Sequence, residues 1–556
     1  MMVKNMQSTG IKLRKMIYKK WILYVFQIIA ISLLFRPINL TVKPFQAQTM
    51  NTETVDYIFY DANIITIDEG RATAEAIAIE DGIIQAIGTS EDILANYVTG
   101  EESKTIFLDG QTMMPGFVDG HTHLIASTDW TGLKTLAEAQ TIALSYGYTT
   151  LVEKSYDFEA NLFEAEQADE LHIRLNLFAI YNYAWLDENL DPIVVERWYP
   201  DNDPILDHDR MVRVPGIKIY ADGVGGVRGL PAMSVPYTQE QLDEWGGTNE
   251  FGDLYFNQTE LNGIVKNIHD QGFRCAFHAM GDRGIETVLN AIDYALGNET
   301  NDAYRHQIEH NSFIREDLIT KAKELNTLHS MRGYFPTYWQ EDYVDMFNAT
   351  VLEWYVNRYS LPEEGVHGYW ESDFTWAVYD EEDRSSSRHI NPFLHLWGYV
   401  TRSAIDENGT IHQSDPWLAE HEITVEQALR AMTIEGAYTV SQEDYLGSLE
   451  PGKFADLIIL SDSPLTIAPD ELKDLEVWLT MVDGTIEYQK AGYIFPEAPT
   501  TAPPSTTAPP TTTSPPITTT EPTTTTTAAV ASVAGLTSLT ALTVIIVLLN
   551  KKRKKL

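Results

Sequence analysis

The chain has 556 residues, with 39 Lys plus Arg against 80 Asp plus Glu, 44% hydrophobic residues and 11% aromatic residues. That length allows roughly two to four domains, or one large barrel with an accessory unit. The apolar content excludes a wholly disordered chain, and a lone Cys275 excludes a disulfide framework or a Cys-rich metal site.

Charge is unevenly placed. Residues 1–48 carry 8 bases and no acid, residues 528–556 carry 5 bases and no acid, and all 80 acids fall between them with 26 bases. So acidic a body repels phosphate backbones, which excludes nucleic acid as a partner. In chain order, Lys4, Lys12, Arg14, Lys15, Lys19 and Lys20 precede the apolar run Trp21–Phe35. A helix of that length reaches about 22 Å, short of the ~30 Å hydrocarbon core. Basic region followed by apolar region reads as a secretory signal within 1–48, with an uncleaved anchor as the alternative.

Residues 49–115 carry short strand patterns broken by turns, with Asp81-Gly82 marking a hairpin. Similar patterns return at 446–495, so a small composite β-sandwich built from both ends of the body is expected. Between them, residues 116–445 alternate apolar runs with helical patterns. The expected strands are 117–123, 149–154, 174–180, 216–223, 274–281, 305–311, 327–332 and 369–373. A helix over 286–296 is expected to stop at Gly297. This α/β alternation points to a TIM-like (β/α)8 barrel rather than an open doubly wound sheet, which would need a Gly-rich phosphate loop.

After the body, 496–527 is dominated by Thr and Pro and reads as an extended, O-glycosylated stalk. Ala528–Leu549 has no charge, and about 33 Å of helix would span a bilayer. The basic tail 550–556 then lies on the cytoplasmic side. The expectation is a single-pass cell-membrane protein, held by a C-terminal transmembrane helix with its body extracytoplasmic. Sequons at Asn257, Asn298, Asn348 and Asn408 are compatible with that.

Chemistry-bearing residues cluster at the ends of expected strands. His121 and His123 stand at i and i+2, so both imidazoles reach one side of a strand. His278, His310 and Asp373 each end a different strand, where barrel enzymes place their chemistry. Nitrogen ligands with a carboxylate suit zinc and leave room for water. Lys218 sits in an apolar strand, where an unpaired ammonium is costly. It either pairs with a carboxylate such as Asp222 or Glu153, or is carboxylated by CO2 into an anionic ligand. His306 reads as a buried, hydrogen-bonded histidine, and Cys275, of opposite parity to His278, as facing the outer helices. Asp282 and Arg283 cap the next helix or line the site. Glu153 faces the site or forms a structural ion pair. The aromatic segments 224–256 and 333–368 should cover the barrel mouth, as a pocket or as a packed lid.

Taken together, PGFVDGHTH (115–123), KIYADG (218–223), HAMGDR (278–283), RHQIEH (305–310) and GSLEPGKFAD (447–456) resemble the metal-dependent amidohydrolase superfamily. In detail they resemble amidohydrolase family 3, with its formamide deformylase-like members, over about residues 55 to 490. The resemblance implies a distorted barrel with a composite sandwich and one or two divalent ions, with zinc the expected metal. It makes His121, His123, His278 and His310 ligands, Lys218 a carboxylated bridge, and Asp373 a ligand that also shuttles the proton. It implies hydrolysis of a non-peptide carbon–nitrogen bond in a small-molecule substrate, and it is compatible with a homo-oligomer. A mononuclear deaminase is the alternative within the superfamily, and a non-catalytic surface binding protein the alternative outside it. The chain departs from that branch in having only 25 residues between His123 and Thr149, Gly333–Tyr338 in place of a Gln-Pro after strand 7, and Phe-Thr-Trp after Asp373.

Overall fold

The computed structural model describes residues 53–499 apart from 126–134, 157–161, 188, 190, 196–197, 224–228, 248, 358, 360, 375–388 and 407. The expected signal region, nearly all of the stalk, the apolar run 528–549 and the basic tail lie outside the described residues. Among the described residues no helix is long and apolar enough to cross a membrane.

All eight expected central strands form, in one parallel sheet: β1 (Phe117–Thr122), β2 (Tyr148–Tyr156), β3 (Arg174–Ile180), β4 (Val212–Tyr220), β5 (Arg274–Ala279), β6 (Gln307–His310), β7 (Leu328–Met331) and β8 (His367–Trp370). They neighbour one another in chain order. β4 shows why they are buried on both faces, as parallel strands are. Ile217 and Ile219 join the apolar cluster of Leu261, Val265 and Val288 from the outer helices, so alternation turns Lys218 into the barrel. The helix expected at 286–296 spans Asp282–Leu296 and stops at Gly297, whose φ is 59°.

Closure occurs just beyond the assigned strands. Asp373 N–H donates to His121 C=O at 2.9 Å, Thr122 Oγ1 donates to Phe374 C=O at 3.0 Å, and His123 N–H also reaches Phe374 C=O. β8 thus pairs with β1 at the level where the chemistry-bearing side chains sit. Gly120 permits this approach, because a Cβ there would lie 2.4 Å from the Tyr369 ring and 2.9 Å from Trp370 O. At the opposite end the helix Ile434–Thr439 ends against the barrel floor. Arg305 Nη1 donates to Tyr438 C=O, Arg274 Nη1 to Thr439 C=O and Arg213 Nη1 to Val440 C=O. Three guanidiniums at the start of β4, at the start of β5 and just before β6 satisfy carbonyls that a helix C-terminus leaves unpaired, and complement its dipole.

The accessory unit has two sheets. One runs Thr485–Gln489, Val477–Val482, Leu457–Leu460, Thr112–Pro115, Asn63–Asp68 and Arg71–Ala74, so it joins both ends of the body side by side. The other comes from the N-terminal side alone: Ile83–Gly88, Ala76–Glu80, Glu53–Tyr60 and Tyr97–Phe107. Phe59, Ile64, Ile77 and Met113 share one buried core with Leu457, Leu479 and Met481. The expected hairpin turn has Asp81 at φ 49° and Gly82 at φ 75°, both left-handed as a two-residue connection requires.

Gly120→Ala should destabilise the protein by about 1–3 kcal/mol, as inserting a methyl into a packed core does. Thermal unfolding of the two proteins checks this, and an unchanged midpoint would place the β1–β8 seam less tightly than described.

Candidate metal centre

The end of β1 brings His121 and His123 together, with their Nε2 atoms 3.1 Å apart. Asp373 Oδ1 lies 3.4 Å from each of those nitrogens. The protons can be assigned from the partners. His123 Nδ1 is 2.9 Å from the Lys154 carbonyl, which only accepts, so Nδ1 carries the hydrogen and Nε2 a lone pair. His121 Nδ1 is 2.9 Å from Glu371 Oε2. Burial alone would raise the Glu371 carboxyl, but His310, Arg332 and the hydrogen bond from His121 hold it well below the usual carboxylate range. An ionised Glu371 therefore takes its hydrogen from Nδ1, and His121 also turns a lone pair inward. Asp373, opposed by burial but held down first of all by the Arg332 guanidinium, is likewise well below the usual range and ionised. Burial, with Lys218 adding to it, depresses His121, so its imidazole stays neutral. Two nitrogen lone pairs and a carboxylate oxygen then converge with no hydrogen between them. Such a set suits a divalent cation.

The second half of the site is built on β4, β5 and β6. The His278 and His310 ring centroids are 4.5 Å apart, and His310 lies 5.1 Å from His121. His278 Nε2 makes a long contact of 3.5 Å to Gly223 C=O. Glu309, His310 and His121 offer ligand atoms that all lie within 4.8 Å of one another. Glu309 and His310 are consecutive, and strict alternation would send them to opposite faces. The chain leaves the extended region here, with φ 67° at His310 and 46° at Asn311, so both side chains reach the site. Asp373, at φ 50°, is a third non-glycine residue in the left-handed region. Such residues cost of order 1–3 kcal/mol each and concentrate at functional sites.

Lys218 pairs with a carboxylate, but neither of those considered from sequence. Its Nζ contacts Glu309 Oε2, and Lys154 Nζ lies 3.1 Å from Glu309 Oε1. Asp222 is engaged elsewhere, accepting backbone N–H bonds from Met280 at 3.0 Å, Gly281 at 2.8 Å and Ala232 at 3.0 Å. Glu153 accepts from Ile125 N–H at 2.8 Å and so fixes the chain beyond His123. Burial, followed by repulsion from Lys154, pushes Lys218 well below the usual lysine range.

Four buried residues of the site are not singled out by sequence reasoning: Glu309, Glu371, Arg332 and Lys154. Arg332, at the end of β7, donates from Nε to Glu371 Oε1 at 2.7 Å and from Nη2 to Asp373 Oδ2, and its Nη2 lies 2.6 Å from His310 Nδ1. The parity of Glu371 with Asp373 and the strand-end position of Arg332 are the available signals. For Glu309 the signal is alternation itself, because Ile308 faces the outer helices and Glu309 stands in register with the inward His278. Residues placed outside the centre behave otherwise. His306 packs with His269, 3.1 Å between ring nitrogens, and accepts from Cys275 N–H at 2.9 Å; burial pushes it down to about 3. Cys275 joins the helix-facing cluster. Asp282 accepts from Ser234 N–H and Arg315, each a tie to a neighbouring segment, while Arg283 Nη1 makes a contact of 3.5 Å with Phe251 C=O. From the segments 224–256 and 333–368, Leu230, Met233, Tyr237, Tyr343, Phe347 and Tyr355 share one apolar cluster with Phe313, whose ring meets those of Tyr343, Phe347 and Tyr355, so this part is packed rather than an open pocket.

A model described as the amidohydrolase family matches residues 133–488, well over half of the chain. His121 and His123 precede that stretch and join it through the pairing of β1 with β2. The N-substituted formamide deformylase of Arthrobacter pascens is 25% identical over 290 residues, covering 51% of this chain and 47% of that protein. The match to each of the curated relatives spans less than half of their length. Among solved structures, an uncharacterized metal-dependent hydrolase from Pyrococcus furiosus superposes with a TM-score of 0.55 at 18% identity, covering 74% of this chain and 100% of that one. Molinate hydrolase gives a TM-score of 0.53 at 15% identity, over 78% and 95%. These likenesses establish the shared fold.

Glu309→Gln removes the carboxylate that Lys154 Nζ and Lys218 Nζ share and leaves both buried amines facing a neutral amide. Losing a buried acceptor in this way costs about 1–3 kcal/mol, which denaturant unfolding beside the parent protein measures. An equal midpoint would show that Glu309 does not hold Lys154 and Lys218.

Proposed function

Because the chain belongs to the amidohydrolase family, we propose that it is a metal-dependent hydrolase of a non-peptide carbon–nitrogen bond in a small molecule. One observation carries this reading: His121 Nε2, His123 Nε2 and the Asp373 carboxylate converge as acceptors without a shared hydrogen. These three would hold an ion, with His278, His310 and Lys218 beside them, and zinc suits nitrogen and oxygen donors of this kind. When bound, the ion supplies the Lewis acidity that lowers the pKa of a water toward ~7 and polarises a carbonyl. The chain's own part is positioning and proton transfer. Arg332 grips Asp373 Oδ2 and leaves Oδ1 facing the histidines. The Asp373 carboxylate then accepts the proton of the attacking water and returns it to the leaving nitrogen. The name of the Arthrobacter relative makes N-formyl and N-acyl amines the first substrates to screen.

Lys218 is proposed to carry a CO2-derived carboxylate. Burial favours its neutral amine, which is the form that adds CO2, and Glu309 stands in contact to take the released proton. The same contact favours a second reading, in which Lys218 remains an ammonium on Glu309 and the centre holds one ion, as in a mononuclear deaminase. Intact-mass and metal-content measurements separate the two.

The body is proposed to be displayed outside the cytoplasm on a C-terminal membrane anchor. The support is the uncharged run 528–549, its basic flank and the acid-free leader region. Protease treatment of intact cells should release the body from the membrane fraction, and protection of the body until lysis would refute this.

Asp373→Asn should keep the protein folded and lower turnover of a screened amide by about 100-fold or more; an active Asn variant refutes the proton-transfer role. Lys218→Ala should lower metal stoichiometry, with partial recovery in short carboxylic acids. Unchanged stoichiometry would favour the single-ion reading.

A further inference from the structure

Glu371 has a feature that neither ligand geometry nor catalysis of proton transfer requires. It is completely buried, and its carboxylate hydrogen bonds among the described residues go to groups of the centre alone. Oε2 meets His121 Nδ1 at 2.9 Å, while Oε1 meets His310 Nδ1 at 3.0 Å and Arg332 Nε at 2.7 Å. From one strand end it therefore reaches imidazoles on β1 and β6. Together with Asp373, two residues on, it brackets the His121 ring: Glu371 takes Nδ1 and Asp373 faces Nε2 at 3.4 Å.

A neutral imidazole can offer a lone pair from either nitrogen, and its other hydrogen bond decides which. His123 is fixed by the Lys154 carbonyl. The corresponding device for His121 comes from a side chain, because among the described residues its Nδ1 meets a carboxylate and no backbone carbonyl. We infer that Glu371 is a positioning residue that locks His121 in the Nδ1–H form and orients His310 through its other oxygen, so that Nε2 of His121 is presented to a metal ion. Arg332 is its counter-charge, tying Glu371 and Asp373 into one rigid unit. Glu371 touches neither substrate nor ion; it acts through the histidines. The inference rests on the metal-centre reading above.

The test is competition of the full-length protein against a chelating dye for zinc, together with the visible absorption spectrum of the cobalt-loaded protein. Glu371→Gln can donate through its amide and no longer imposes the tautomer. It should weaken zinc binding about 10–100-fold, the range seen when such outer partners are removed, and shift the cobalt spectrum. Should the Gln variant fail to fold, Glu371→Asp keeps the charge but withdraws it by one methylene, and should weaken binding to a smaller degree. Zinc affinity and cobalt spectrum equal to those of the parent, in whichever variant folds, overturn the positioning role while leaving the metal centre standing. A parent protein that binds no zinc overturns the metal centre itself, which separates the two failures.

Discussion

Three acceptors that face one another with no hydrogen to share impose the constraint on which this site depends. The Nε2 atoms of His121 and His123 stand 3.1 Å apart, and a carboxylate oxygen lies 3.4 Å from both. Each partner that creates this situation is a group that can only accept: the Lys154 carbonyl for His123 and the Glu371 carboxylate for His121. Left alone, such a cluster is repulsive. A divalent cation resolves it, and the surrounding charges are arranged accordingly. The Arg332 guanidinium balances Glu371 and Asp373, and Glu309 lies between the Lys154 and Lys218 amines.

The fold supplies the accuracy this needs. Closing the sheet through Asp373 N–H on His121 C=O sets the third acceptor against the first by a backbone hydrogen bond. Gly120 lets the two strands come close enough for that bond. At the far end, the three arginines on the carbonyls of Tyr438, Thr439 and Val440 fix β4 and β5 and the approach to β6 relative to one helix end. Since Lys218, His278 and His310 lie on those same strands, the floor contributes to the register of the mouth.

Much of this was legible in the sequence. Parallel strands buried on both faces read as apolar runs, so all eight barrel strands were visible, and i, i+2 spacing placed His121 beside His123. Cys275 could be assigned to the helix-facing side by its parity, opposite to His278, whereas His306 shares the parity of His310 and was legible only as a buried, hydrogen-bonded histidine. What the sequence withheld follows from local departures from regular geometry. Glu309 follows the alternation, in register with the inward His278, and it is His310 that leaves it, at φ 67°. With His310 expected as the inward residue of its strand, strict alternation turns the neighbouring Glu309 outward, which left Asp222 and Glu153 as the carboxylates put forward for Lys218. The accessory unit is built from both ends of the body, as expected, but only its six-stranded sheet joins them and its four-stranded sheet is N-terminal alone. Strand patterns do not reveal which edges pair.

The most direct measurement is anomalous X-ray diffraction from crystals grown with zinc, collected on either side of the metal absorption edge. The account predicts an anomalous peak between β1 and the segment after β8, about 2.0–2.2 Å from His121 Nε2, His123 Nε2 and an oxygen of Asp373. A zinc-loaded crystal with no peak there, and with hydrogen-bonded water joining the two imidazoles instead, would contradict it.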